Sequence, residues 1–261
     1  MLKVLQITDL HVKPHLGDTM FGIDTEIFFQ QTLQYAHQQH GPFDLMLLTG
    51  DLAQHPGADS YRRICRHLLN YETRCLCLPG NHDDFDLMQQ YLNEGMVNCD
   101  KSLLIGGWHI IALNSQKTGS PVGELTSNEL AFLEKSLCAN PGLPTLIAVH
   151  HHCLPSGSPW LDTMQIQNST AFLELAKSFP QVKAITFGHI HQELYSTKNQ
   201  ISIFGTPASC FQFVPNSIEF SIADTPPGYR IINLHADGNL QSKCYRTPIN
   251  MDHLDRNAHA Y

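Results

Sequence analysis

Basic residues are scarce in this chain. Across 261 residues, 16 lysines and arginines face 24 acidic residues, giving a formal net charge of −8. That balance argues against a broad basic footprint for a nucleic-acid polymer or an anionic membrane. A small phosphate-bearing molecule stays open, because bound divalent cations would set the local sign. No apolar run approaches the ~20 residues that a bilayer-spanning helix needs, and the first residues, Met1 to Ile7, already read as fold rather than leader. Nor is there a Cys-x-x-Cys pair. The eight cysteines, Cys65, Cys75, Cys77, Cys99, Cys138, Cys153, Cys210 and Cys244, are scattered through a chain too long for a disulfide scaffold. Reduced, mostly buried thiols and a cytoplasmic location are expected. With no repeat, linker or low-complexity tract, residues 1–249 read as one domain and 250–261 as a mobile tail, with His253 and His259 in solvent.

What the chain has in excess is histidine, 16 in all, the commonest side-chain metal ligand at neutral pH. Their placement is ordered. The apolar run Leu45 to Leu48 empties into Gly50-Asp51, as expected of a buried strand presenting a carboxylate at its C-terminal edge. Other apolar runs end in Asp9-Leu10-His11, in Gly80-Asn81-His82-Asp83, in His150-His151-His152 and in Gly188-His189-Ile190-His191. In extended backbone, residues i and i+2 share a side, so Asp9 and His11 are expected to bind one ion together. Of the three consecutive histidines, His150 at the strand tip is the expected ligand, with His151 and His152 as supporting or solvent groups.

Between these tips the pattern predicts helices over 24–39, 60–70, 125–137 and 171–178. The first should bury Ile27, Phe28, Gln31, Tyr35 and Gln38. The second should leave Arg62, Arg63 and Arg66 as a solvated face. Thr126 and Glu129 suggest a capping box for the third. A hairpin is expected through Gly106-Gly107, opening a second, antiparallel layer, with His109 a structural residue. Residues 153–160 read as a rigid loop that lines a pocket, and the remainder to Arg246 reads as strands.

The candidate ligands are Asp9, His11, Asp51, Asn81, His150, His189 and His191. Nitrogen and oxygen donors without thiolate suit two ions of iron, manganese, zinc or cobalt. With Asp51 shared, one ion would take Asp9, His11, Asp51 and His191, and the other Asp51, Asn81, His150 and His189. A hydroxide between two cations is a nucleophile at neutral pH, and the same pair neutralises charge on a phosphoryl transition state.

In this order, Asp-x-His, Gly-Asp, Gly-Asn-His-Asp, a strand-end His and Gly-His-x-His resemble the calcineurin-like metallophosphoesterases. The stretches 50–54, 80–84 and 187–193, with 150–155, Trp160-Leu161-Asp162 and 206–210, resemble class III bacterial 3′,5′-cyclic-AMP phosphodiesterases. Cys153 departs from the proline that relatives often carry. The resemblance implies an α/β (α+β) fold, a two-sheet β-sandwich flanked by helices in αββα layers, with metals at the strand ends. It implies hydrolysis of 3′,5′-cyclic AMP to 5′-AMP, with Asp51 and His82 catalytic and His82 beside the leaving oxygen. His11, Asn81 and His191 would meet the phosphate. The expected partner is a small cyclic nucleotide, with no nucleic-acid polymer and no membrane, and a homo-oligomer is left open. Rival readings are the same chemistry on other nucleotides, glycerophosphodiesters or lipid pyrophosphates, and a silent scaffold.

Overall fold

In the computed structural model, which describes residues 1–258, the first half of the chain runs β1 (Leu2–Ile7), α1 (Thr25–His40), β2 (Leu45–Thr49), α2 (Ala58–Leu69), β3 (Cys75–Leu78), α3 (Phe85–Tyr91) and β4 (Val97–Asn98). It continues through β5 (Ser102–Ile105), β6 (Trp108–Ala112), α4 (Ser127–Ala139), β7 (Thr145–Ala148), α5 (Pro159–Asp162), α6 (Ser169–Lys177) and β8 (Val182–Phe187). The last part is all strand: β9 (Leu194–Lys198), β10 (Ile201–Gly205), β11 (Gln212–Phe213), β12 (Ile222–Ala223), β13 (Gly228–Leu234) and β14 (Leu240–Arg246).

Two six-stranded sheets result, in the orders β14-β13-β1-β2-β3-β4 and β5-β6-β7-β8-β10-β9, with β11 and β12 pairing apart. The inner strands β2, β3, β6 and β7 are mostly apolar because both their faces are buried, whereas β5, β9 and β14 are partly exposed and carry polar residues. Leu45 and Leu47 of β2 join the core between the sheets, whereas Met46 and Leu48 face α1 and α2. Likewise Leu76 and Leu78 point between the sheets, and Cys75 and Cys77 share the helix-facing side. On the other sheet, Leu146 and Ala148 meet the first, while Ile147 packs with Leu133 of α4 and Phe172 of α6. The layers are therefore helix, sheet, sheet, helix. Among the described residues no helix is long and apolar enough to cross a membrane.

Several local expectations are corrected. The second sheet opens with an antiparallel hairpin, β5 against β6, but β6, β7, β8 and β10 then run parallel. The buried stripe of α1 is Phe28, Phe29, Thr32, Leu33 and Ala36, and Ile27 is exposed. Arg63 is not solvated: it pairs with Glu26 at 2.8 Å and donates to the carbonyls of Lys13 and Pro14. The capping box of α4 is half formed. Thr126 Oγ1 accepts from the Glu129 amide at 3.2 Å, but the Glu129 carboxylate turns to the Asn114 amide and Lys101. Residues 250–258 do not trail away, since Met251 and Leu254 are buried and the Asp255 amide donates to the Phe21 carbonyl at 2.8 Å. His253 is exposed, and His259 lies outside the described residues. His109 is buried, with Ser102 Oγ 2.8 Å from its Nε2.

Candidate metal centre

Parallel pairing brings the C-terminal ends of β1, β2 and β3 to one edge of the first sheet, and those of β7 and β8 to the same edge of the second. The five histidine- and aspartate-bearing tips therefore meet. They meet through strained backbone. Asp9, His11, Asp51, His189 and His191 all lie in the left-handed region, with φ of 54°, 48°, 51°, 64° and 48°. For non-glycine residues this costs about 1–2 kcal/mol each, and such strain concentrates at functional sites. It corrects the extended Asp-x-His reading: Asp9 and His11 converge because each sits in a tight turn. Two of the motif glycines are required by close approach. A Cβ on Gly80 would lie 2.1 Å from Asp51 Oδ1, and one on Gly188 would lie 2.0 Å from Thr8 Oγ1.

The turns hold one another. The amides of Asp9, His11 and Val12 donate to the carbonyls of Gly50, Asp51 and Leu52, each at 3.0 Å. Buried Asp83 accepts from the amides of Leu52, Ala53 and Gly80 and from the Tyr61 hydroxyl, at 2.9–3.0 Å. Burial and the nearby Asp51 charge push its carboxyl up to about 6, against the pull of those amides. Its role as the pin between the β2 and β3 tips was not foreseen from sequence.

Side-chain atoms then gather in two adjoining groups. His191 Nε2 lies 3.4 Å from Asp9 Oδ1 and 3.3 Å from His11 Nε2. His150 Nε2 lies 3.2 Å from Asn81 Oδ1 and 3.3 Å from His189 Nδ1. Asp51 Oδ2 sits between the groups, 3.2 Å from His150 Nε2 and 3.9 Å from His11 Nε2, while its Oδ1 accepts from the His82 amide at 2.9 Å. His82 is half-buried beside them, its Nδ1 3.2 Å from the Gln54 carbonyl.

Hydrogen bonds on the far ring nitrogens decide what these atoms can do. His150 Nδ1 is 2.8 Å from the Thr49 carbonyl, and His191 Nδ1 is 2.8 Å from that of Phe211. A carbonyl only accepts, so both Nδ1 atoms carry hydrogen and both neutral rings present a lone pair at Nε2. His11 Nδ1 is held in the same way by Gln54 Oε1 at 2.7 Å. The groups thus consist of acceptors facing acceptors, an arrangement that needs positive charge at its centre. In the protein alone, that charge is a proton. Burial disfavours charging His150, yet the attraction of Asp51 outweighs it and raises the imidazole to about 9. Burial holds His11 down at about 3 and His189 well below the usual histidine range, so both stay neutral, as ligands must. The residues fit bound cations: donor atoms 3.2–3.9 Å apart suit coordination bonds of about 2.0–2.2 Å. Cys210 also approaches His11 and His191. Burial and the Asp9 charge keep it a thiol, and it donates to the Asp9 carbonyl at 3.0 Å, so thiolate ligation is disfavoured.

His151 and His152 are buried rather than solvated. His151 Nδ1 lies 2.8 Å from Ser115 Oγ, and His152 stacks on His189 with centroids 5.5 Å apart. The carbonyls of Thr49 and Phe211 orient two of the rings, and no sequence pattern marks them.

Residues 2–193 match the family described as calcineurin-like phosphoesterase. The chain is 38% identical over 247 residues to the 3′,5′-cyclic adenosine monophosphate phosphodiesterase CpdA of Haemophilus influenzae, covering 94% of this chain and 90% of that protein. It is 36% identical over 246 residues to the protein of the same name in Escherichia coli K12, with the same coverage. Among solved structures, a dimetal phosphatase from Danio rerio is similar in fold, with a TM-score of 0.61 at 12% identity, covering 94% of this chain and 99% of that one.

Proposed function

Because the chain belongs to the calcineurin-like phosphoesterases, we propose that it is a metal-dependent phosphodiesterase converting 3′,5′-cyclic AMP to 5′-AMP. The observation that carries this reading is the pair of acceptor groups joined through Asp51 Oδ2. Asp9, His11, Asp51 and His191 would hold one ion, and Asp51, Asn81, His150 and His189 a second. Nitrogen and oxygen donors suit iron, manganese, zinc or cobalt. Bound there, the cations would supply Lewis-acid charge for the phosphoryl group and acidify a water molecule.

The chain's own groups do the rest. Asn81, His82, His11 and His191 surround the position where phosphate would sit. In-line attack of water on phosphorus breaks the bond to the 3′-oxygen, which must collect a proton. His82 is assigned that role: with Nδ1–H held by the Gln54 carbonyl, the ring must carry a second hydrogen at Nε2, as the imidazolium, and that is the proton it would give up. Residues 1–249 would act as one catalytic unit on a free cyclic nucleotide. A cytoplasmic location accords with cysteines that are all free thiols.

The test is a substrate panel on metal-reconstituted protein: cyclic AMP, cyclic GMP, 2′,3′-cyclic nucleotides, glycerophosphodiesters and phosphomonoesters. Cyclic AMP should disappear with 5′-AMP as the product. Turnover of glycerophosphodiesters or monoesters with cyclic AMP untouched would overturn the substrate. Protein with two metals bound and no turnover at all would be a silent scaffold.

A further inference from the structure

A cleft of about 630 Å³ opens beside Asn81, His82 and His189, within the roughly 300–1,000 Å³ that small-molecule sites occupy. Its outer wall is apolar, built from Pro121, Trp160, Met164 and Phe220. Across Asn81 and His82 lies a second cleft of about 650 Å³, lined by Asp84, Asp86, Asn114 and Gln116. A nucleotide whose phosphate sits at Asn81 and His82 can send its base either way. A purine face loses its hydration in both directions; the first cleft returns contacts from Trp160, Met164 and Phe220, and the second offers His55, Pro56 and Phe85. The second also sets three aspartates, Asp83, Asp84 and Asp86, along its wall, so the first is the more apolar of the two.

The apolar wall is held firmly. Trp160 packs edge-on against Phe213 and Phe220, with centroids 5.0 and 5.5 Å apart. Phe213 in turn stacks on His191 at 4.2 Å, so the aromatic corner is fixed relative to the metal centre. The Trp160 loop is closed by Asp162, which accepts from the Ser156 amide and hydroxyl, each at 2.7 Å, and lies 3.3 Å from His152 Nε2. Resting on the phosphodiesterase reading above, we propose that Trp160, Met164 and Phe220 form the nucleobase subsite. They grip the base by its flat face, which favours purines over the smaller pyrimidines.

The test compares 3′,5′-cyclic AMP, 3′,5′-cyclic CMP and base-free ribose 3′,5′-cyclic phosphate in wild type, Trp160→Ala and Phe220→Ala. Binding of 5′-AMP and ribose 5-phosphate to the same proteins gives a readout that does not depend on turnover. Stacking of one base on an aromatic side chain corresponds to about a 10- to 100-fold effect. Each variant should lose about that in kcat/KM for cyclic AMP, mostly through KM, and in 5′-AMP affinity. The base-free compounds should be unaffected, and wild type should prefer cyclic AMP to cyclic CMP. If the alanine variants do not fold, Trp160→Leu and Phe220→Leu keep apolar volume without the aromatic face. Equal losses on base-free compounds, or no loss on cyclic AMP, would overturn the subsite and leave the phosphodiesterase reading standing. Wild type inert toward cyclic AMP would overturn both.

Discussion

At the scale of single residues, the convergence of the candidate ligands was legible because metal chemistry restricts residue type and strand ends restrict place. Asp51, His150 and His189 stood out as polar residues where apolar runs stop. What orients them was not legible, since Thr49 and Phe211 act through backbone carbonyls that any residue would supply. His151 and His152 were open between supporting and solvent roles because alternation gives direction but not depth. His82 neighbours Asn81 without belonging to either proposed set. His82→Ala should therefore keep both metals and slow cyclic-AMP turnover by roughly 10²–10⁴-fold, the contribution of a general acid. The loss should shrink for a nitrophenyl diester, whose leaving group needs little protonation. Measuring kcat on both substrates separates proton donation from charge stabilisation, which would slow both evenly. A variant that loses metal would make His82 a ligand.

At the scale of elements, apolar strands were readable even when short, as β3 and β7 show, and the short helices α3 and α5 were not. The α3 helix buries only Met88 and so leaves almost no periodic signal, although Asp84 caps it by accepting from the Leu87 amide at 3.0 Å. The face of α1 was partly misread because Ile27 looked as apolar as the stripe that packs, whereas Tyr35 does pack, partly buried, against that core. Packing on β2 chose Phe29, Leu33 and Ala36 instead. A polar cluster ties α1 to α2, with Gln30 Nε2 3.1 Å from His67 Nε2 beside the Glu26 contacts. Glu26, 3% exposed, accepts from Arg63 and lies 2.8 Å from His67 Nε2. Burial raises its pKa, but the hydrogen bonds from His67 and Arg63 outweigh that and leave it below the ordinary value of 4.5. A carboxyl depressed in the folded state adds stability above its unfolded pKa, and that stability is lost as pH falls through the folded value. Glu26→Gln should cost about 1–3 kcal/mol at pH 7, with the gap to wild type narrowing below pH 4.5. Urea unfolding at pH 7 and pH 4 measures this. A gap independent of pH would show that the carboxylate charge is not what holds the helices.

At the scale of the whole molecule, the site exists because two sheets present their strand ends at one edge, so whatever locks the sheets together also holds the site. Arg230 of β13 does this in the interior, at 2% exposure. It donates to the Gly205 carbonyl at 2.7 Å, to Thr206 Oγ1 at 3.1 Å and to Ser242 Oγ at 2.6 Å, bridging the first sheet to the end of β10. Arg230→Met should lower stability by at least about 2 kcal/mol, since buried acceptors lose their donor. Thermal melts check this, and kcat per folded molecule should stay near wild type. No sequence pattern announced this contact, because its partners lie in separate parts of the chain. The proposed site turns on Asp51 being shared by two ions, and metal content per chain tests that most directly. Wild type should carry two ions, Asp9→Ala should mainly weaken one, and Asp51→Ala should lose both. Equal losses in the two variants, with both still folded, would contradict it.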